Sequence, residues 1–314
     1  MSATAVSAPP APVVDLGVDL GGVPLTNPVM PASGCFGPEL ADVIDVDGLG
    51  AMVTKTVFDR QRAGNPAHRL TETEHGMLNS VGIPSPGSAG FRDGLLREYQ
   101  ACGTRLIVSI GGLYTDEYFD IASALADESL DAFELNISCP NLEHDGLPIG
   151  ASPERANEVI TGVKKIVDKP LFAKLTPTVA SISEIALACQ EAGADAVVVS
   201  NSYPGLAVDV ASRTTVLGNG TGGYTGPAVK PLALKLVHDA AEAVSIPVIG
   251  CGGISTAEDV LEFLIAGAGA VQVGTATFTR PTAMNDIISD LPAECERHGI
   301  TALNEVIGSL EMPH

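Results

Sequence analysis

The run Asn136-Ile137-Ser138-Cys139-Pro140-Asn141 places a thiol, a hydroxyl and two carboxamides within six residues. It closes the apolar segment Ala132-Phe-Glu-Leu135, where a buried strand gives way to a loop. A carboxamide offers a donor and an acceptor to a polar planar ring, and Cys139 or Ser138 can exchange a proton with that ring. An ordinary polar loop with a chance cysteine has the same composition, so its neighbours must decide. Glycine-rich stretches supply one set: Gly250-Cys-Gly-Gly-Ile254 before Ser255, Gly274-Thr275, and Thr221-Gly-Gly-Tyr-Thr-Gly226-Pro227. Glycines let backbone N–H groups approach an anion, and a following helix N terminus adds positive potential. The anion is then the phosphate of either a cofactor or a substrate. Lys174, inside Phe-Ala-Lys-Leu-Thr-Pro, is costly to bury without a negative partner. The reduced edge of a flavin would serve, and so would a core carboxylate such as Glu134.

Positioning these groups requires strands. Short β-branched runs at 28–33, 51–56, 105–110, 132–137, 171–175, 196–200, 247–250 and 270–274 are continuously apolar, as parallel strands covered on both faces are. Amphipathic segments at 153–167, 182–192, 229–244 and 257–266 separate several of them. Ser152-Pro153 reads as an N-cap with proline at the first helical position, and Gly193 and Gly267 stand where C-caps belong. Eight such units in one chain predict an α/β fold, a (β/α)8 TIM barrel. A doubly wound sheet is the runner-up, disfavoured because no GxGxxG follows the first strand. Val14–Thr26, with Gly21-Gly22 at its centre, predicts an N-terminal β-hairpin plugging the barrel bottom, and 57–104 predicts loop insertions over the top face. Residues 1–14 read as a mobile tail and 15–314 as a single domain. Barrel sites lie at the C-terminal strand ends, where Ser33, Lys55, Ser109, Asn136, Cys139, Lys174, Asn201, Gly252, Gly253, Gly274 and Thr275 fall.

The 314 residues are 45% apolar with 34 glycines and no tryptophan, which suits a well-buried α/β protein. A formal net charge of −21 argues against nucleic-acid or anionic-membrane binding through a broad basic surface. The six cysteines, at 35, 102, 139, 189, 251 and 295, never form CxxC, which argues against an encoded zinc or iron–sulfur site and for reduced thiols in a cytoplasmic setting. His68, His75, His144 and His238 show no metal-ligand spacing, Cys35 and Cys251 read as packing residues, and Tyr114, Tyr118 and Phe119 read as one helix face. No signal peptide and no apolar run of membrane-spanning length is evident.

Eight short motifs together resemble the catalytic subunit of class 1 dihydroorotate dehydrogenases, FMN-containing (β/α)8 barrels. They are Asn27-Pro-Val-Met-Pro-Ala-Ser33-Gly-Cys-Phe36, Thr54-Lys55-Thr56, Gly76-Met-Leu-Asn79-Ser-Val-Gly82, Glu134–Asn141, Ala173-Lys-Leu-Thr-Pro177, Thr221–Ala228, Gly250–Ile254 and Val273-Gly-Thr275. The resemblance implies Cys139 as catalytic base, where class 2 members use serine. It implies substrate contacts from Lys55, Asn79, Ser80, Val81, Gly82, Ile83, Asn136, Asn141, Asn201 and Ser202. For FMN it implies Ser33, Lys55, Thr56, Ser109, Asn136, Lys174, Ser200, Gly226, Gly252, Gly253, Gly274 and Thr275. Ser109 stands where the family usually has Asn, Ser200 where an aliphatic residue is common, and Ser202 where Thr is common. The stretch Leu142–Pro148 lacks the Pro-Gly-Lys-Pro of the fumarate-using 1A type and looks like the 1B type.

That type implies a homodimer and a partner subunit carrying FAD and a 2Fe–2S cluster, joined in a heterotetramer that passes electrons to NAD. The implied reaction is oxidation of (S)-dihydroorotate to orotate in pyrimidine biosynthesis. A dihydropyrimidine dehydrogenase subunit acting on uracil or thymine is the enzymatic rival. A barrel that only binds a phosphorylated ligand is the non-catalytic one.

Overall fold

The computed structural model describes residues 14–138 and 147–313. Eight parallel strands form one sheet: β1 Val29–Pro31, β2 Ala51–Val53, β3 Arg105–Ile110, β4 Ala132–Asn136, β5 Leu171–Lys174, β6 Ala196–Val199, β7 Val248–Cys251 and β8 Ala268–Val273. Their order is β1-β8-β7-β6-β5-β4-β3-β2. Gly50 N–H donates to the Val29 carbonyl at 2.9 Å and links the remaining edges, so the sheet is a nearly closed (β/α)8 barrel. Every strand expected from sequence is present; the first two are three residues shorter than expected, and the others match to within two residues.

The crossovers carry helices α1 Thr115–Leu125, α2 Pro153–Lys164, α3 Ile182–Glu191, α4 Lys230–Ala243, α5 Ala257–Ile265 and α6 Ala283–His298. Ser152 caps α2 by accepting from Arg155 N–H, with Pro153 at the first turn as expected. Gly193 and Gly267 take φ of 97° and 116° just beyond α3 and α5, a left-handed conformation that glycine adopts without a Cβ clash. The connection after β1 differs: residues 32–50 hold only one 3-10 turn, Pro38–Leu40.

Strand alternation sorts the barrel interior into layers. Inward residues Ala132, Phe172, Ala196, Val198, Ile249 and Ala270 form an apolar cluster with the hairpin Val18–Leu20/Val23–Leu25. In that hairpin Val18, Leu20, Val23 and Leu25 are buried while Asp19 and Pro24 face out, and Gly21-Gly22 make the turn with φ of 58° and 93°. The hairpin therefore plugs the bottom, as its sequence predicts. Further along five of the strands, β3, β4, β5, β6 and β8, the same inward register becomes polar: Ser109, Glu134, Lys174, Ser200 and Gln272, all at most 3% exposed. Polarity thus begins one layer below the mouth.

Over the mouth lies an antiparallel four-stranded sheet, Leu70–Thr73, Gly76–Asn79, Gly222–Thr225 and Tyr203–Gly205 in spatial order. The insertion at 57–104 therefore covers the top face, as expected, but does so by pairing with the segment after β6. Of residues 1–14, read from sequence as a mobile tail, residues 1–13 lie outside the described residues.

Candidate active site

The strand ends converge through one run of hydrogen bonds. Beginning at β3, the Ser109 and Thr56 hydroxyls meet at 3.0 Å, and Asn136 Nδ2 donates to Thr56 Oγ1 at 3.1 Å. Ser138 then donates to Asn136 Oδ1, and Asn201 Nδ2 donates to Ser138 Oγ. Asn201 Oδ1 accepts from Ser202 N–H at 2.8 Å. Residues from the ends of β2, β3, β4 and β6 are thereby locked to one another. The Ser202 N–H fixes the orientation of the Asn201 carboxamide, and Asn136 is held between the Thr56 and Ser138 hydroxyls.

From the covering sheet, Asn79 lies opposite Gly223 and donates to its carbonyl at 3.2 Å. A Cβ on Gly223 would stand 2.0 Å from Ser202 Oγ, so only glycine lets these two segments approach. The loop from Ser80 to Ile83 is strapped from outside. Asn65 donates to the Ser80 hydroxyl at 3.0 Å and takes the Val81 carbonyl through its own N–H at 3.0 Å. Arg69 Nε holds the Asn65 carbonyl at 2.6 Å. Arg69 also acts on Lys55. Burial first, and then the Arg69 guanidinium, hold the half-buried Lys55 ammonium below the usual lysine range.

Lys174 is 3% exposed and donates to Gln272 Oε1 at 2.8 Å and to Ser33 Oγ at 3.4 Å. The pairing with Glu134 considered from sequence is realised indirectly, because Gln272 stands between them. Ser200 turns its hydroxyl onto the Asn201 carbonyl at 3.1 Å.

At the glycine-rich loops one sequence expectation is corrected. The N terminus of α5 is not left for an anion: Thr256 and Asp259 form a capping box, and the Asp259 carboxylate also takes the Ser255 N–H and hydroxyl. The N–H groups of Gly253, Gly274 and Thr275, by contrast, donate to no backbone or side-chain acceptor among the described residues. Gly252 and Gly253 hold φ of 136° and 81°, and a Cβ on Gly253 would meet Lys230 at 2.8 Å. Gly226, at φ 107°, closes against Gly76, where a Cβ would sit 2.7 Å from its Cα. These are features of a backbone anion cradle, and the short helix Ala276–Thr279 begins directly after Gly274 and Thr275 with no side-chain cap.

The two other thiols near the mouth are chemically quiet. Burial pushes Cys35 up to about 11, with Lys174 pulling the other way, and burial also raises Cys251. Both stay protonated at neutral pH, which agrees with their expected packing role. Cys139 and Asn141 lie outside the described residues. No group of His, Cys, Asp and Glu suited to a metal ion occurs among the described residues.

Sequence reasoning missed three contributors. Tyr118, expected to be one of a helix-face trio, is fully buried and donates from its hydroxyl to the Asn136 carbonyl at 2.8 Å. Tyr114 is not on that face at all; it precedes α1 and is exposed. Arg69 and Gln272 carried no local motif. A polar residue two places before Gly274, inside an apolar strand, was the available signal for Gln272. Tyr118→Phe strands a buried carbonyl at the end of β4, so a loss of about 1–2 kcal/mol is expected, read as a lower denaturation midpoint.

Comparison with known proteins agrees with this geometry. A family model described as dihydroorotate dehydrogenase matches residues 15–295. A protein of Geotalea uraniireducens named dihydroorotate dehydrogenase B (NAD(+)), catalytic subunit, is 44% identical over 94% of this chain and 98% of its own length. Proteins of the same name from Alkaliphilus metalliredigens and Halalkalibacterium halodurans are 43% and 41% identical, over 95% and 93% of this chain and 99% and 97% of their own lengths. The chain belongs to the dihydroorotate dehydrogenase family of flavin-dependent oxidoreductases.

Proposed function

We propose that this protein binds FMN across the barrel mouth and oxidises (S)-dihydroorotate to orotate in pyrimidine biosynthesis. The observation that carries this reading is the convergence of Asn79, Asn136 and Asn201 with Lys55 on one opening, beside Lys174 and an uncommitted N–H cradle. The donor set fits the cofactor. N–H groups of Gly253, Gly274 and Thr275 suit its phosphate, and the Lys174 ammonium suits the ring edge that becomes negative on reduction. Ser33, Thr56, Ser109, Ser200, Gly226 and Gly252 complete the proposed FMN surroundings. Bound FMN supplies the hydride acceptor for C6 of the substrate.

The chain's own residues do the rest. Lys55 pairs with the substrate carboxylate. Asn79, Asn136, Asn141, Asn201 and Ser202, with the Ser80–Ile83 loop, bind the ring amides. An analogue lacking those groups leaves buried amides unpaired and is rejected. Cys139 takes the proton from C5. The printed name of the relatives, catalytic subunit of an NAD(+)-linked enzyme, supports a second subunit. In this reading that subunit carries FAD and a 2Fe–2S cluster, and joins a homodimer of this chain in a heterotetramer. The cysteine pattern supports a reducing, cytoplasmic setting. Among the described residues no helix is long and apolar enough to cross a membrane.

The test is anaerobic mixing of the yellow protein with dihydroorotate and, separately, dihydrouracil. Bleaching by dihydroorotate alone is expected. Bleaching by dihydrouracil alone assigns the chain to pyrimidine-base reduction instead, and a colourless protein ends the flavin reading. Reoxidation by NAD(+) is expected only with the partner subunit added; reoxidation by fumarate without it contradicts the NAD linkage.

A further inference from the structure

Beneath the mouth the barrel holds a charged assembly that the reaction itself does not require. Glu134 is fully buried, two residues before Asn136 and inward-facing by strand alternation. Its Oε2 accepts from Gln272 Nε2 at 2.6 Å, while Gln272 Oε1 accepts from Lys174 Nζ at 2.8 Å. Gln272 is itself fully buried. The remaining Glu134 oxygen is inaccessible and has no hydrogen-bond partner among the described residues. An amide between an ammonium and a carboxylate has one compatible orientation, oxygen towards the cation and NH2 towards the anion. The two charged neighbours therefore fix Gln272, and Gln272 fixes the end of Lys174.

We propose that Glu134, acting through Gln272, is a positioning residue that holds the Lys174 ammonium at the barrel mouth and offsets its charge, making the reduced flavin a stronger electron donor. The redox clause rests on the FMN reading above; the coupling between Glu134 and Lys174 does not. A buried ammonium next to the flavin draws electrons onto it. A carboxylate farther away opposes that pull in the low-dielectric interior. Neither charge is cheap to bury alone, and each compensates the other.

The experiment is a double-mutant cycle in the full chain with Glu134→Gln, Lys174→Met and the pair together. Glu134→Gln keeps the shape and the acceptor for Gln272 while removing the charge. At a fixed ambient potential its reduced-to-oxidised flavin ratio is expected to rise at least tenfold, a positive shift of about 30 mV for a two-electron couple. Lys174→Met is expected to shift the other way, and the double variant to lie between them. An unchanged or lowered potential in Glu134→Gln overturns the redox role. The same cycle is read by melting of the flavin-free chain. Each single variant is expected to melt below wild type, and the double variant above the sum of their losses. Additive losses overturn the coupling even if the chain binds no flavin, whereas absence of flavin with non-additive losses sinks only the FMN reading. Should Glu134→Gln not fold, Gln272→Leu breaks the link with both charges kept. A tenfold loss of FMN affinity is expected there, and unchanged affinity overturns the positioning role.

Discussion

Replacing Cys139 with alanine is expected to leave a flavin-loaded protein that dihydroorotate reduces about 10²–10⁴-fold more slowly, the usual contribution of a general base. The described surroundings offer no replacement. The Cys35 thiol, pushed up to about 11 by burial, and the raised Cys251 thiol both hold their protons. The Ser138 hydroxyl is engaged with Asn136 and Asn201. Cys139→Ser is expected to retain part of the rate with a pH optimum displaced upwards, because a hydroxyl gives up its proton less readily than a thiol. Stopped-flow absorbance of the flavin in a single turnover reads both variants. A wild-type rate in the alanine variant would end the assignment of Cys139 as base.

The second large effect is expected at Lys55. Losing a charged hydrogen bond to the substrate carboxylate costs about 1.5–3 kcal/mol, so Lys55→Ala should lower kcat/KM for dihydroorotate roughly 10–150-fold. Its pH dependence follows from the environment. Burial and the neighbouring Arg69 lower the Lys55 pKa, so its ammonium loses a proton at a lower pH than an ordinary lysine does. Because only the charged form pairs with the carboxylate, orotate binding should weaken as pH rises, and should do so before the normal lysine range. Titrating orotate across the alkaline range measures this. A binding curve with the same alkaline slope in Lys55→Ala as in wild type would remove Lys55 from the substrate site.

Much of this was readable in the chain, for physical reasons that differ by level. The eight strands were evident because parallel strands buried on both faces leave continuous apolar runs, and the hairpin because Gly21-Gly22 separates two alternating pairs. Lys174 stood out because a cation inside such a run demands a partner. The partner's identity did not: Gln272 is 98 residues away in sequence, and the amide-bridged chain to Glu134 exists only once the barrel closes. The sheet over the mouth was hidden for the same reason, since its strands come from segments after β2 and β6 and pair across 144 residues at Asn79 and Gly223. Tyr118 lies on a buried helix face as its spacing predicts, but helical periodicity is silent about where its hydroxyl ends. The glycine loops are legible as candidates for an anion cradle, but the capping box at Thr256 and Asp259 that occupies the start of α5 is a separate local signal. That signal is a Thr followed three residues later by Asp.

The most direct test of the whole reading is a structure of the flavin-loaded protein with orotate bound. The expected result places orotate between the flavin and the β4 loop, with Cys139 Sγ about 3–3.5 Å from C5 on the ring face away from the flavin. A Cys139 side chain turned out of the barrel mouth, or orotate bound away from Asn79, Asn136 and Asn201, would contradict it.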